Sequence, residues 1–93
     1  MIKSFKCRET EIIFNGEFSR KFPPELQCRA ERKLRMIDAS RMLEDLRVPP
    51  SNHLESLAGD RRGQWSVRIN DRYRICFEWS GEEARNVEIT DYH

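Results

Sequence analysis

The sequence predicts an α+β domain in which N-terminal helices pack on one face of an antiparallel β-sheet. Apolar residues recur at helical spacing between positions 24 and 39, and they alternate with polar residues after position 60. Helices first and strands second is the order typical of this layer arrangement. The 93 residues are enough for one core, and we treat residues 1–93 as a single domain.

The first elements are short. Ile2 to Phe5 alternates in polarity and could begin a sheet or lead into a helix. Thr10 to Phe14, followed by Gly16, predicts a brief helix that stops at the glycine.

The second helix is predicted to begin at Pro23-Pro24-Glu25, because proline suits the first helical turn and an acid suits its positive end. Two i,i+4 ion pairs are expected on the solvent-exposed side of this helix, Glu25/Arg29 and Glu31/Arg35. Ser40 is expected to cap one further turn before the chain breaks at residues 48–50. The apolar stripe consists of Leu26, Ala30, Leu34 and Ile37, and the further turn carries Leu43 and Leu46.

The second half of the chain predicts strands and tight turns. A strand near Leu54 and Leu57 precedes a turn at Gly59-Asp60. Two further strands flank a two-residue hairpin turn at Asn70-Asp71, and another turn at Ser80-Gly81 precedes the last strand. The alternating apolar residues are Trp65, Val67 and Ile69 in one strand and Tyr73, Ile75, Phe77 and Trp79 in the next, and Val87 and Ile89 mark the last strand.

Alternation then assigns the arginines to a face. If the apolar rings face the helices, Arg68, Arg72 and Arg74 lie on the opposite face of the sheet. Charges on an antiparallel sheet also have a simpler explanation, since the uncovered face of such a sheet is commonly solvated.

The charge is unevenly distributed. The formal net charge of +1 gives no indication of a strong polyanion binder. Residues 61–76 carry five arginines and one aspartate, a local charge of +4, whereas residues 78–91 carry one arginine and five acids, a local charge of −4. Opposite blocks on neighbouring segments predict a site with polarity.

Several protein classes are not indicated. The sequence has no apolar run long enough to span a bilayer, and its N-terminus lacks the uninterrupted apolar stretch of a signal peptide, so we expect a cytoplasmic protein without a membrane partner. Cys7, Cys28 and Cys76 are odd in number and widely spaced, as in reduced thiols that act as small hydrophobes. They show no metal-ligand spacing with His53 or His93, and we expect no metal and no cofactor.

The stretch Asp91-Tyr92-His93 carries the most chemical information. RNA cleavage by the 2′-hydroxyl requires a proton acceptor, a proton donor and cations for the extra charge on phosphorus. Histidine can transfer protons near neutral pH, arginine binds phosphate oxygens, and tyrosine stacks on unpaired bases. Each residue also has a structural explanation, because an edge aromatic packs, an edge acid solubilises and a last residue often frays.

Three ordered blocks resemble the HigB toxins, which belong to the RelE-like toxins of bacterial toxin–antitoxin pairs. The blocks cover residues 52–66, residues 69–77 and the ending at residues 89–93, and the likeness extends to the opening Met1-Ile2-Lys3-Ser4-Phe5. The resemblance implies helices on a curved antiparallel sheet whose concave face receives mRNA. It also implies metal-independent cleavage of mRNA in the ribosomal A site.

The resemblance further implies a partner. A HigA-type antitoxin with a helix-turn-helix would silence the toxin, and operator DNA would be bound only through that antitoxin. Exposed apolar residues of the first helices, such as Ile12, Ile13 and Phe18, are candidate antitoxin contacts, although core packing explains them equally well.

Carried over by position, Asp91, Tyr92 and His93 match the catalytic ending, and Arg74 matches the phosphate-binding arginine. Glu55 stands where some relatives have a catalytic histidine, and Ala58 stands where many have a lysine. His53 is two residues out of register, which on a strand would restore the same face. The predicted catalytic set is therefore Arg74, Asp91, Tyr92, His93 and Glu55, and the predicted RNA-binding set is Arg61, Arg62, Arg68, Arg72 and His53.

Within this hypothesis, Arg74 clamps the scissile phosphate with help from Arg68 and Arg61, Tyr92 stacks on a nucleotide, and His93 transfers a proton beside Asp91. Glu55 could act as the base in place of the loop histidine of some relatives, or the loop only binds the message. Three alternatives stay open: a toxin disabled at Ala58 that keeps antitoxin binding, a ParE-like toxin of gyrase, and a non-catalytic RNA-binding module.

Overall fold

The computed structural model describes residues 1–91 and has the predicted α+β architecture. The helices are α1 (Arg8–Phe14) and α2 (Pro24–Ala39), and the strands are β1 (Glu55–Ser56), β2 (Gln64–Arg68), β3 (Tyr73–Ser80) and β4 (Glu83–Asp91). The four strands form one sheet in the order β1-β2-β3-β4, and each pair of neighbours is antiparallel.

The core lies between the helices and one face of the sheet. The predicted stripe of α2 is buried there, opposite Val67, Ile75 and Phe77. Trp65 and Trp79 pack against the rim of this core. Burial of this continuous apolar layer is the main favourable term in folding, and it leaves the other face of the sheet for polar chemistry.

Helix α1 ends at Phe14, and Gly16 closes it as predicted. The amide of Gly16 donates to the Ile13 carbonyl (3.0 Å), and the Glu17 amide donates to the Ile12 carbonyl (3.0 Å). This closure requires a positive φ, which is +82° at Gly16. Of the three candidate antitoxin contacts, Ile13 is 1% exposed and belongs to the core, Ile12 is half-buried, and Phe18 is exposed.

Helix α2 begins at Pro24 as predicted, but two of its expected contacts are wrong. Ser40 does not cap the next turn, because its hydroxyl donates to the Met36 carbonyl (2.8 Å) and closes α2 instead. The following turn, Leu43–Arg47, is a 3₁₀ helix started by Asp45, which accepts from the Arg41 and Met42 amides. Among residues 1–91, Glu31 pairs with Arg35 (3.1 Å), whereas Glu25 does not pair with Arg29.

The turn between β2 and β3 is longer than predicted. The Ile69 amide donates to the Tyr73 carbonyl (2.9 Å), so the loop contains the three residues from Asn70 to Arg72. The Asn70 side-chain oxygen accepts from the amides of Arg72 (2.9 Å) and Tyr73 (2.8 Å) and closes the loop. An asparagine side chain that mimics a backbone acceptor stabilises such a turn. The turn after β3 consists of Gly81 and Glu82, because Ser80 is still in β3 and pairs with Glu83, so it lies one residue later than predicted.

The N-terminal segment joins the sheet at its far edge. Ile2 and Phe5 form parallel bridges to Ala84 and Val87 of β4. A bulge in β4 lies opposite β3 between Cys76 and Glu78, next to Asn86, which has a φ of +52°. A bulge bends its strand.

The strand predicted near Leu54 and Leu57 is only two residues long, Glu55–Ser56. The expectation that all three cysteines act as small hydrophobes holds only for Cys76, which is buried, because Cys28 is exposed and Cys7 is partly exposed. No helix within residues 1–91 has the length and apolar character needed to cross a bilayer.

Candidate active site

The face of the sheet opposite the helices carries two adjacent rows of polar residues, which we call the polar face. One row crosses all four strands and consists of Glu55, Ser66, Cys76 and Glu88. The next row consists of Arg68, Arg74 and Thr90. The pleat places these side chains on one side because their neighbours in sequence are the core residues.

Arg74 is a partly buried cation of this face that is held by hydrogen bonds. Its Nε donates to the hydroxyl of Ser66 (2.7 Å), and its Nη2 donates to the backbone carbonyl of His53 (2.7 Å). Its side chain is only 12% exposed, and Glu55 lies 3.6 Å from Nη2. Two neutral acceptors therefore orient the guanidinium, and the Glu55 carboxylate forms an ion pair with it.

Glu55 lies on the short edge strand β1 with its side chain 58% exposed. Its register partner is Ser66, the same residue that accepts from Arg74. The structure thus brings together Glu55 and Arg74, as the resemblance implied.

His53 does not lie on a strand, so the expectation that alternation restores its face is wrong. It follows the 3₁₀ turn Pro50–Asn52 in a left-handed conformation with a φ of +44°. Its side chain is exposed, and it contributes its carbonyl to Arg74. The turn is held by Asn52, which is fully buried and donates to the Leu46 carbonyl (3.0 Å).

Arg61 reaches the opposite end of the first row. Its Nη1 donates to Glu88 (3.1 Å) and to the side-chain oxygen of Gln64 (3.1 Å). Lys6 approaches the same Glu88 carboxylate at 3.6 Å. Arg62 is exposed beside it. Arg61 is thus held over the polar face by the acidic block that the charge pattern revealed.

Arg68 lies directly opposite Arg74 in the β2–β3 register. Like charges in directly opposed positions repel each other. Arg68 turns away toward the β2–β3 turn, where it bonds to the Asn70 carbonyl (3.1 Å) and to the carboxylate of Asp71.

Arg72 and Asp91 are not on the polar face. Arg72 lies in the turn, its guanidinium is 5.4 Å from the ring centroid of Tyr73, and Asp91 is in register with Tyr73, a core residue. The prediction that Arg72 shares the face of Arg68 and Arg74 is therefore wrong. The hydrogen bond to Asp91 (2.9 Å) raises the pKa of Arg72. Tyr92 and His93, predicted to be catalytic, lie outside the described residues.

A family comparison adds to this geometry. The family described as "RelE-like toxin of type II toxin-antitoxin system HigB" matches residues 3–93. The chain belongs to the HigB-like toxin family. Membership of a type II toxin–antitoxin family implies an antitoxin partner.

Individual relatives agree with this membership. "Toxin HigB-1" of Vibrio cholerae is 39% identical over 90 residues, which cover 96% of this chain and 95% of that protein. "Endoribonuclease HigB" of Proteus vulgaris is 30% identical over 93 residues, which cover both proteins in full. An uncharacterised protein of Haemophilus influenzae is 39% identical over 74 residues, 80% of this chain and 73% of that protein.

Two residues of the candidate site were not predicted. Ser66 is fully buried and orients Arg74. Its position between the apolar residues Trp65 and Val67 of β2 could have placed it on the face of Arg74. The Thr90 hydroxyl is buried opposite Arg74 and has no hydrogen-bond partner among residues 1–91. A buried hydroxyl without a partner is uncommon and can engage an added oxygen ligand.

The arrangement suits the stabilisation of an anion next to a proton acceptor. A preorganised guanidinium stabilises charge that develops in a transition state, and a carboxylate at its side can accept a proton. Within the described part of the chain, no group of three His, Cys, Asp or Glu side chains is placed to hold a metal ion.

Proposed function

We propose that this HigB-like toxin is an endoribonuclease that cleaves mRNA in the ribosomal A site without a metal and thereby inhibits translation. The geometry of Arg74 carries the proposal, because its guanidinium is held by Ser66 and the His53 carbonyl beside the carboxylate of Glu55. The relative named "Endoribonuclease HigB" supports the reaction class.

In the proposed reaction the 2′-oxygen attacks the adjacent phosphorus, and the bond from phosphorus to the 5′-oxygen breaks. Glu55 accepts the proton of the 2′-hydroxyl, and Arg74 stabilises the extra negative charge on the phosphoryl oxygens. His93 donates the proton to the departing 5′-oxygen, with Tyr92 stacked on a neighbouring base. The products are a 2′,3′-cyclic phosphate and a 5′-hydroxyl.

We further propose a HigA-type antitoxin with a helix-turn-helix as the partner and the bacterial cytoplasm as the location. Operator DNA would be bound only through this antitoxin. An antitoxin in excess that binds in the nanomolar range would leave little free toxin, by mass action.

The reaction is tested with purified ribosomes programmed with mRNA, followed by mapping of the 5′ ends. Arg74→Ala is expected to lower the cleavage rate by about 10²–10³-fold, the cost of removing one preorganised donor to a developing oxyanion. Arg85→Ala is the matched control, since Arg85 is exposed on β4 and pairs with Glu83 (2.7 Å) away from Arg74. Equal rates for both variants would refute the role of Arg74.

The proton acceptor is tested separately with Glu55→Gln, which keeps the shape and removes the base. The rate is expected to fall by about 10²–10⁴-fold, the usual contribution of general base catalysis. Glu78→Gln is the control, because Glu78 is exposed on the same face in register with Gln64. If the Glu55→Gln variant cleaves mRNA at the wild-type rate, a group other than Glu55 accepts the 2′-hydroxyl proton.

Ribosome dependence and the partner need their own measurements. Cleavage of the same mRNA with and without ribosomes separates a ribosome-dependent enzyme from a free nuclease. Mapping cellular mRNA 5′ ends while the chain is expressed with and without the product of its neighbouring gene tests neutralisation. Intact mRNA together with arrested growth would favour a ParE-like target instead.

A further inference from the structure

A basic cleft lies at the end of the molecule next to the β2–β3 turn. It has a volume of about 450 Å³ and lies between α2, the segment around Pro49 and the turn. Its charged lining consists of Arg29, Arg32, Lys33 and Arg68, and it contains no acidic side chain.

The spacing on α2 explains why three of these cations converge. Arg32 and Lys33 follow Arg29 by three and four residues. The three side chains therefore lie on one flank of the helix, beside the buried stripe. The same flank continues to Met36, which lines the floor of the cleft. The sequence contains this pattern, but the predicted ion pair with Glu25 assigned Arg29 to a different role.

The cations of the α2 flank are not neutralised within the described residues. Among residues 1–91, Arg29 and Arg32 form no ion pair, and Lys33 donates to the neutral side chain of Asn52. Burial and the nearby charges of Arg29 and Arg32 lower the pKa of Lys33. Clustered like charges of this kind raise the energy of the unliganded protein, and a bound anion would relieve that repulsion.

We propose that this cleft binds backbone phosphates of an RNA strand, as a second anion site beside Arg74. The assignment to RNA rests on the proposed function. Continuity favours RNA over an acidic protein: Arg68, which lines the cleft and pairs with Asp71, is the register partner of Arg74 in the β2–β3 ladder. A ligand with a regularly repeated anion can occupy both sites with one continuous backbone, and guanidinium groups match phosphate oxygens.

The test measures binding without cleavage. A fluorescently labelled single-stranded oligonucleotide with 2′-O-methyl groups lacks the attacking hydroxyl, so it reports binding alone. Its affinity is measured by anisotropy over a range of salt concentrations for the wild-type chain and for R29Q/R32Q. Each lost phosphate contact is expected to lower the salt slope by ~0.7 and the affinity at 0.1 M salt by about fivefold, so the double variant loses about 25-fold.

The matched control is R8Q/R20Q, which removes the same two charges from exposed positions outside the cleft. Arg29 and Arg32 are also exposed, so neither double variant disturbs the core, and their thermal midpoints verify this. Equal affinities and salt slopes for the two double variants would overturn the proposal.

Two further arms separate this site from others. A polyglutamate peptide of the same formal charge that binds the cleft at least as tightly as the oligonucleotide would assign it to an acidic protein and overturn the proposal. In ribosome assays, R29Q/R32Q is expected to raise KM about tenfold or more with little change in kcat, whereas Arg74→Ala lowers kcat. A wild-type chain that binds the oligonucleotide through the cleft but cleaves no mRNA would refute the proposed function. The same result would still support the cleft as a phosphate-binding site.

Discussion

At the scale of single residues, Arg74 is oriented by two acceptors that carry no charge, the Ser66 hydroxyl and the His53 carbonyl. The Glu55 carboxylate pairs with the same guanidinium at a longer distance, 3.6 Å from Nη2. These contacts fix the guanidinium next to the carboxylate that is proposed to accept the 2′ proton.

Ser66→Ala tests this orientation. The variant removes the acceptor of the Arg74 Nε, and we expect kcat for mRNA cleavage to fall by about tenfold, equivalent to ~1.4 kcal/mol of transition-state stabilisation. Ser66→Thr keeps the hydroxyl on a strand position and should restore most of the rate. If alanine and threonine lower the rate equally, the hydroxyl does not position Arg74.

The sequence allowed Arg74 to be placed on the correct face because strand alternation is rigid. It did not allow Arg72 to be placed, because the Asn70 side chain lengthens the turn by one residue and removes Arg72 from β3. His53 was misplaced for a similar reason, since the turn before β1 ends in a left-handed residue. Alternation holds only within a strand.

At the scale of elements, the segment between α2 and β1 connects the core to the candidate site. Asn52 is fully buried in it and accepts from Lys33 of α2, while its amide donates to the Leu46 carbonyl. The next residue supplies the carbonyl that holds Arg74. The position of Arg74 therefore depends on an asparagine outside the sheet.

Asn52→Ala should destabilise the fold and the site together. We expect a loss of about 2–3 kcal/mol, because a buried carbonyl and a half-buried ammonium both lose their partner. For a chain of this size each kcal/mol lowers the thermal midpoint by about 4–8 °C. Asn15→Ala is the control on an exposed residue at the end of α1, and equal midpoints for the two variants would contradict this account.

At the scale of the whole molecule, α1 is attached to the strand that leads to Asp91. Thr10 of α1 is fully buried, and its hydroxyl accepts from the Ile89 amide of β4 (3.0 Å). This contact joins residues 79 positions apart in the chain. No local pattern in the sequence predicts such a pairing, whereas the two layers were predictable from periodicity alone.

Thr10→Val keeps the shape of the side chain and leaves the Ile89 amide without its acceptor. We expect a stability loss of about 1–3 kcal/mol and faster hydrogen exchange at that amide. Thr10→Ser retains the hydroxyl and should keep the amide protected. Unchanged exchange in the valine variant would show that β4 does not depend on α1 at this point.

The two tryptophans give the molecule built-in optical reporters. Trp65 lies in β2 and Trp79 in β3, at the rim of the core, and the chain has no third tryptophan. Indole fluorescence therefore follows the β-layer, while far-ultraviolet circular dichroism is dominated by α2. Coincident melting curves from the two signals would identify a single cooperative unit, and separated curves would reveal which layer loosens first.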